Sequence, residues 1–323
     1  MTKQDYKINK EEIEKFQEEI LTWYAKNKRV FPWREMPDGI SLQDRAYRIL
    51  ISEVMSQQTQ ILRVVSKYEA WIKELPTIES LANAKTSDVL MLWSGLGYNR
   101  RALYLQQAAK KICTDFGGII PQNEKDLRGL PGIGEYTAQA VLCYAFNQQV
   151  AVVDTNVRKV ILLKFGKCHC EESQRRSKLS HNRDCHASLA MTTKEIRAVA
   201  EELLPKRVLR LRSGLRLRGS DSRRHLLKAS ASEWNQALMD YCGMMLKKDK
   251  VPTPKQSKFI GSKRYYRGKI IKILLEKKTV NIAELELLGK DLHFPKETSI
   301  KEIIEGLEKE GFVKEKGEAI VLV

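Results

Sequence analysis

Two carboxylates are candidates for acid–base chemistry, and the first in the chain is Glu53. It lies in an apolar stretch between Ile51 and Val54, so we expect it on or beside a buried helix face. Burial disfavours the charged form of a carboxyl group, which raises its pKa and lets it donate a proton as a general acid. The alternative is an exposed helix glutamate, the commoner environment for this residue type.

The second carboxylate, Asp154, follows the apolar residues 150–153 and precedes a predicted helix at residues 155–165. Aspartate directly before a helix is a favoured N-cap, because its side chain accepts a hydrogen bond from a free backbone N–H group. From the residues alone, capping is the favoured interpretation.

A turn with outward backbone donors is predicted around Pro131. Proline restricts the residue before it, and Gly132 and Gly134 readily adopt positive φ. The chain should therefore turn between Leu130 and a helix that begins near Glu135. Free N–H groups and the dipole at a helix N-terminus form an anion site, for which a DNA phosphate is a candidate. The alternative is an ordinary corner between two helices.

The composition is that of a basic globular protein. The 323 residues carry a formal net charge of +17, with 42% hydrophobic and 30% charged residues, which favours a polyanionic partner. No stretch reaches about eighteen uninterrupted apolar residues, and the charged N-terminus has no apolar core of a secretory signal. We expect a cytoplasmic protein, bacterial and nucleoid-associated, with no membrane partner.

Residues 52–60, with the sequence SEVMSQQTQ, resemble the E-V-M-x-Q-Q-T-Q signature of the MutY-type A/G-specific adenine DNA glycosylases, within the helix-hairpin-helix glycosylase superfamily. The resemblance extends over residues 20–165 and 230–245. It implies a mainly α-helical fold of two helical domains with a cleft between them. It also implies a monomer that acts in base excision repair, hydrolysing the glycosidic bond of adenine paired with 8-oxoguanine or guanine in double-stranded DNA.

The resemblance assigns catalytic roles to individual residues. Glu53 is expected to protonate the adenine ring, Asp154 to stabilise an oxocarbenium-like sugar, and Asn156 to orient water or the carboxylates. Tyr136 occupies the position of the Schiff-base lysine of bifunctional relatives, so the abasic strand should stay intact. Tyrosine also stands there in some thymine (T/G mismatch) glycosylases, which remain an alternative, as does an inactive DNA-binding remnant.

Glutamine and arginine side chains are expected to contact DNA near the target base. Gln57 and Gln58 are polar where a core helix would need apolar groups, so we expect them to fill the space left by an extruded base. The alternative is a solvated helix face. Arg34 ends a Phe-Pro-Trp-Arg motif whose counterpart in the family stands near the base pocket, and it is a candidate DNA or base contact. The alternative is a loop whose aromatic residues anchor it to the core.

A second DNA-contacting segment is expected around Tyr98, which follows a Gly-Leu-Gly sequence. This tyrosine is either a core anchor or, as in the family, a wedge beside the partner base. The family usually has a second aromatic residue next, where this chain has Asn99. Arg100 and Arg101 supply charge that is expected to reach phosphates.

The resemblance and the composition together predict the domain organisation. Residues 1–35 and 151–250 are expected to form one helical domain, completed by the N-terminal helix, and residues 36–150 a helical barrel domain with the helix-hairpin-helix. An insert within about 168–230 interrupts the first domain, because this window holds half of the arginines and few of the lysines. Residues 264–323 predict helices and a hairpin around Gly317, a small winged-helix-like α+β domain.

The cysteines predict that no metal cofactor is present. Most relatives supply four cysteines for an iron–sulfur cluster, the first a few residues after a segment like Trp234 to Asp240. Here Cys242 is the last cysteine of the chain, so the cluster is expected to be lost. The closely spaced cysteines of the insert are poor zinc ligands, since Cys-x-Cys is tight for a structural site.

Overall fold

The computed structural model describes residues 8–166, 191–205, 229–249, 258–285, 299–317 and 319–323. These residues confirm the predicted mainly α-helical fold with a small C-terminal α+β part. Their helices are α1 (Lys10–Asn27), α2 (Leu42–Ser56), α3 (Ile61–Glu74), α4 (Ile78–Asn83), α5 (Thr86–Trp93), α6 (Arg100–Phe116), α7 (Glu124–Arg128), α8 (Glu135–Tyr144), α9 (Thr155–Phe165), α10 (Thr193–Glu202), α11 (Ala231–Met245), α12 (Lys263–Lys277) and α13 (Ile300–Lys309). None of these helices combines the length and the apolar composition that a bilayer-spanning segment needs.

The chain divides into two compact units. The first comprises Met1–Val30 and Ala138–Pro254, and the second comprises Phe31–Thr137 and Lys255–Val323. The sequence predicted boundaries at residues 35 and 150 and a separate C-terminal domain, whereas this division groups the C-terminal residues with the second unit.

In the first unit, α11 packs against α1 and α9. Phe16 of α1 contacts Phe165 and Trp234 edge-on, with ring centroids 5.2 and 5.8 Å apart. A capping box of Ser230 and Glu233 fixes the start of α11, because each side chain binds the backbone N–H group of the other. This aromatic core holds α9, whose N-terminus carries the second candidate carboxylate.

In the second unit, an aromatic core holds α2, which carries the first candidate carboxylate. Trp71 and Trp93 lie edge-on, with ring centroids 5.7 Å apart. The Tyr47 hydroxyl donates to the Leu75 carbonyl at 2.6 Å and accepts from Trp71 Nε1 at 3.1 Å. Burial raises the pKa of Tyr47, so this phenol stays protonated and its two hydrogen bonds persist.

The C-terminal residues form a small antiparallel sheet against α12 and α13. Its strands are β1 (Thr279–Asn281), β2 (Val313–Lys316) and β3 (Ala319–Leu322), in the order β1-β3-β2. The predicted hairpin joins β2 to β3, with Gly317 at a φ of 64°. The sequence did not predict β1, because a strand of three residues is too short to show an alternating pattern.

Candidate active site

Glu53 lies in the last turn of α2, where its neighbours Ser52, Val54 and Met55 are buried. Its own side chain is half-buried. The Tyr136 hydroxyl donates to Glu53 Oε2 at 2.7 Å, although the two residues lie 83 positions apart in the sequence. Tyr136 is the second residue of α8, so the hairpin before α8 sets the position of this phenol. A half-buried carboxyl group with a fixed partner is suited to exchanging a proton with a bound molecule.

Arg101 closes the C-terminal end of α2. Its Nη1 donates to the carbonyls of Val54 and Gln57 at 2.7 and 2.6 Å, and its Nη2 donates to those of Leu96 and Gly97 at 3.3 and 3.1 Å. The last carbonyls of a helix have no helical partner and carry partial negative charge, so the guanidinium stabilises them. Burial lowers the pKa of Arg101 to about 10, which leaves it charged at neutral pH. The prediction that Arg101 reaches phosphates is wrong, because backbone carbonyls engage its guanidinium.

The two glutamines after α2 have different environments. Gln57 is half-buried, and its Nε2 donates to Thr137 Oγ1 at 3.1 Å, so this side chain lies against α8. Gln58 is exposed and has a φ of 53°. Positive φ is uncommon outside glycine and costs of order 1 kcal/mol or more, so the surrounding structure must hold it. Of the pair, Gln58 is the side chain that faces solvent; insertion of both into a duplex stays a prediction.

The turn before α8 forms where the sequence predicts it. Gly132 has a φ of 73°, and an added Cβ there would lie 2.7 Å from Tyr104 Cβ, so both the backbone conformation and the close packing favour glycine. Gly134 does not adopt positive φ, and the space around its Cα is open. Leu130 is buried, so only its backbone is available to a ligand. The helix begins at Glu135, as predicted.

Tyr98 is exposed rather than a core anchor. It has a φ of 49°, and its ring lies 5.5 Å from Arg101 Cζ and 5.9 Å from Arg264 Cζ. Arg264 Nη1 also donates to the Tyr98 hydroxyl at 3.3 Å. Neighbouring Arg100 is exposed and lies 3.8 Å from a carboxylate oxygen of Glu310.

Arg34 is anchored by the motif in which it occurs. Its Cζ lies 5.0 Å from the centroid of the Phe31 ring, which stacks on Trp33 at 5.0 Å. Trp33 in turn packs edge-on against Tyr68. The aromatic residues of the motif therefore form part of the core, and Arg34 itself is half-buried above them.

Asp154 is the N-cap of α9, which confirms the capping role predicted from the sequence. Its Oδ1 accepts from the Val157 backbone N–H group at 2.7 Å, and its Oδ2 accepts from Asn156 Nδ2 at 2.6 Å. Some of the side chain remains exposed. Desolvation raises the pKa of Asp154, while the hydrogen bonds from Val157 and Asn156 oppose that rise by stabilising the anion. Asn156 is exposed and is hydrogen-bonded to the aspartate, and its expected role in orienting water stays a prediction.

The buried amide of Asn235 holds the segment that leads to Asp154. Asn235 Oδ1 accepts from the Val152 N–H group at 3.0 Å, and its Nδ2 donates to the carbonyls of Val150 and Ala231 at 3.0 and 2.8 Å. The sequence analysis predicted no role for Asn235. The available signal was an amide directly after Trp234, on a helix whose buried residues, apart from Asn235 and Asp240, are apolar or Cys242.

The described residues around Cys242 do not fit a four-thiolate cluster. Cys242 is buried, and burial raises the pKa of its thiol to about 11, which disfavours the thiolate that a metal requires. No group of three His, Cys, Asp or Glu side chains within the described ranges could hold a metal ion. The cysteines of the predicted insert, Cys168, Cys170 and Cys185, lie outside the described residues.

Comparison with known proteins matches residues 51–180 to the HhH-GPD superfamily base excision DNA repair protein family. Over 152 residues, 46% of this chain, the sequence is 42% identical to the human adenine DNA glycosylase, of which the match covers 28%. Over 142 residues, 44% of this chain, it is 44% identical to the adenine DNA glycosylase of Mycobacterium tuberculosis, of which the match covers 45%. The match thus spans less than half the length of these relatives.

Solved structures show the same fold. A thermostable thymine-DNA glycosylase matches 75% of this chain and 90% of its own, with a TM-score of 0.52 and 26% identity. Endonuclease III in a non-covalent DNA complex matches 77% of this chain and 91% of its own, with a TM-score of 0.50 and 15% identity. These likenesses agree with the signature at residues 52–60 and with the turn before α8, and they show that residues 51–180 are similar to the HhH-GPD superfamily of base excision DNA repair proteins.

Proposed function

We propose that this chain is a monofunctional DNA glycosylase that hydrolyses the N-glycosidic bond of adenine opposite 8-oxoguanine or guanine in duplex DNA. The observation that carries the proposal is the hydrogen bond between Glu53 and Tyr136, which places a phenol beside the general acid where bifunctional relatives have a lysine. The identity of 42–44% to adenine DNA glycosylases supports adenine as the substrate base.

Glu53 supplies the proton in this mechanism. Protonation of the adenine ring makes the base a better leaving group, so the bond between the base and the sugar breaks with the electron pair going to the base. The Tyr136 hydroxyl orients the carboxyl group through its bond to Oε2, at 2.7 Å. Gln58, at positive φ on the surface, is the side chain available to occupy the stack after the nucleotide leaves it.

Asp154 supplies a negative charge to the sugar in this mechanism. Loss of the base leaves an oxocarbenium-like centre, which an anion stabilises until water attacks the anomeric carbon. The donors from Val157 and Asn156 fix the carboxylate before the substrate arrives, so little reorganisation is needed during the reaction. The products are free adenine and an abasic strand.

Tyr136 cannot supply the amine that a covalent Schiff-base route requires. A tyrosine forms no Schiff base, so the chain should not cleave the abasic strand and borohydride should trap no covalent complex. We propose that the chain acts as a monomer and without an iron–sulfur cluster. Phosphate contacts are expected from the backbone N–H groups of the turn that contains Gly132.

Release of bases from matched duplexes tests this proposal directly. The panel contains A opposite 8-oxoguanine, A opposite G, T opposite G, and a fully paired control, with abasic sites revealed by alkaline cleavage of the labelled strand. We expect adenine release from the first two duplexes and none from the others, and we expect Glu53→Gln to slow it by about 10²–10⁴-fold. Binding of DNA by the parent protein without release of any base would support an inactive remnant instead.

Thymine excision from T/G mismatches is the second candidate function. It is favoured by the solved thymine-DNA glycosylase, which is 26% identical and is matched over 90% of its length. The same panel separates the two functions, since release of thymine but not adenine would replace the adenine proposal.

A further inference from the structure

Two exposed segments of the second unit carry residues that are expected to enter DNA. The glutamine turn, residues 56–60, presents Gln58 at a φ of 53°, and the glycine loop, residues 95–98, presents Tyr98 at a φ of 49°. Such backbone conformations persist only where the surrounding structure holds them. The contacts that hold these two segments therefore decide how Gln58 and Tyr98 are presented.

Arg101 makes hydrogen bonds to both segments with one guanidinium group. On the glutamine turn, Nη1 donates to the Gln57 carbonyl at 2.6 Å and Nη2 donates to Thr59 Oγ1 at 3.2 Å. On the glycine loop, Nη2 donates to the carbonyls of Leu96 and Gly97 at 3.3 and 3.1 Å. The residue before each positive-φ residue, Gln57 or Gly97, is therefore bonded directly to Arg101.

Three further contacts strengthen this link. Thr59 Oγ1 lies 3.4 Å from the Leu96 carbonyl, so the segments also touch each other. The guanidinium carbon lies 5.2 Å from the centroid of the Trp93 ring and 5.5 Å from that of Tyr98. Because these carbonyls surround a charged group that burial has desolvated, their hydrogen bonds are stronger than bonds between neutral groups.

We propose that Arg101 is a positioning residue that couples the glutamine turn to the glycine loop, so that Gln58 and Tyr98 enter the duplex as one unit. This inference rests on the proposed glycosylase function, because the two side chains have this task only during extrusion of a base. The planar guanidinium is required for it. A lysine ammonium carries its three donors on one nitrogen, so it cannot span both sets of carbonyls as the planar guanidinium does.

Hydrogen exchange measures this coupling without any DNA. The parent protein is compared with Arg101→Lys and with the matched control Arg100→Lys, whose side chain is exposed. The hydrogen-bonded amides are Thr59 in the glutamine turn, which donates to the Ser56 carbonyl, and Leu96 in the glycine loop, which donates to the Trp93 carbonyl. In Arg101→Lys we expect exchange at both amides to accelerate on the order of tenfold, the change that about 1.4 kcal/mol produces. In Arg100→Lys we expect neither segment to change. Faster exchange in one segment only, or in neither, would overturn the coupling.

Thr59→Val is a milder substitution that tests the same coupling if Arg101→Lys unfolds the second unit. Thr59→Val removes one acceptor of Nη2 and leaves the charge in place, so it should accelerate exchange in both segments by a smaller factor. If Arg101→Lys exchanges rapidly throughout the second unit, Thr59→Val decides the question: acceleration confined to the two segments supports the coupling, and none contradicts it.

A double-mutant cycle then tests the consequence for DNA. Gln58→Ala, Tyr98→Ala and the double variant are compared in single-turnover release of adenine, first in the parent background and then in the Arg101→Lys background. We expect the effects of the two alanines to be non-additive by about tenfold in the parent background and additive in the Arg101→Lys background. Additive effects in the parent background would overturn the inference. If the exchange result holds but the parent releases no base from any duplex, the proposed function fails and the coupling of the segments stands.

Discussion

The two candidate acids are held in opposite ways. Asp154 is fixed mainly by its immediate neighbours, since Asn156 and Val157 donate to its two oxygens within one turn of α9. Glu53 is fixed by residues far along the chain, namely Tyr136 at its carboxylate and Arg101 at the end of its helix. The Asp154 site is therefore local, because its partners are neighbours in the sequence. The Glu53 site is assembled from residues that are distant in the sequence.

Because the two carboxylates are held differently, they should be sensitive to different substitutions. A local cap re-forms whenever its helix forms, so substitutions elsewhere in the fold should reach Asp154 only through the segment before it. An assembled site depends on every element that contributes to it, so Glu53 should respond to changes in α2, α6 and α8 alike. Substitutions at the two sites are therefore expected to differ in the size of their effect on activity and stability.

Replacement of the proposed general acid, Glu53, gives the largest expected effect. Glu53→Gln keeps the size of the side chain and can still accept from Tyr136, but it cannot supply a carboxyl proton. We expect the single-turnover rate of adenine release to fall by about 10²–10⁴-fold, the usual contribution of general acid catalysis. Affinity for the same duplex should stay within a few-fold in a binding assay, and a rate close to that of the parent would remove Glu53 from the mechanism.

Asp154→Asn should reduce the rate of adenine release by about 10²–10³-fold, the effect typical of losing one electrostatic contact to a transition state. Asparagine is as good an N-cap as aspartate, so α9 should stay intact. The free energy of unfolding separates these roles. A variant that loses activity because it unfolds would show a lower melting temperature than the parent. We expect no such decrease in Asp154→Asn.

The raised pKa of Asp154 also predicts how stability depends on pH. A carboxyl group whose pKa is higher in the folded state binds its proton more tightly there, so its contribution to stability falls as pH rises through the folded pKa. Asp154→Asn removes this cost of a desolvated charge. We expect the variant to melt at a higher temperature than the parent at neutral pH, and the difference to narrow as the pH falls. A difference that widens with acidification would contradict the assignment.

The local features of both sites could be predicted from the sequence. The N-cap at Asp154, the start of α8 at Glu135 and the bounds of α9 all depend on neighbours within a few residues, and all are confirmed. The turn at Gly132 is confirmed for the same reason, because glycine content and proline position are local signals. The helical content follows from hydrophobic periodicity, which is also local.

The assembled features could not be predicted in this way. Arg101 was expected to reach phosphates because of its charge, yet its guanidinium points to carbonyls of α2 and the glycine loop. The hydrogen bonds of Asn235 likewise join segments that the sequence separates by more than eighty residues. Side-chain direction over such separations depends on packing, which no spacing pattern records.

Asn235→Ala probes a long-range support of the Asp154 site. The substitution leaves the buried Val152 N–H group and the Val150 and Ala231 carbonyls without this amide, so we expect the free energy of unfolding to fall by about 2 kcal/mol. Denaturant titration measures this. Asn235→Asp keeps an acceptor for Val152 but buries a carboxylate against the Val150 and Ala231 carbonyls, so we expect it to lose more stability than Asn235→Ala. A free energy of unfolding in Asn235→Ala equal to that of the parent would contradict the supporting role of this amide.

Tyr136→Phe should have the smallest effect. It tests most directly whether Glu53 depends on a residue that is distant in the sequence. It removes only the hydroxyl that donates to Glu53 Oε2, a bond whose net contribution is about 1 kcal/mol, so we expect the rate of adenine release to fall about fivefold. The loss should appear in the single-turnover rate and not in the affinity for DNA, because Tyr136 then acts on the acid rather than on the duplex. In the Glu53→Gln background the same substitution should change the residual rate by less, since the carboxyl proton that the phenol orients is already gone. Equal losses in both backgrounds would mean that the phenol acts independently of Glu53, and the assembled site would reduce to a single acid on α2.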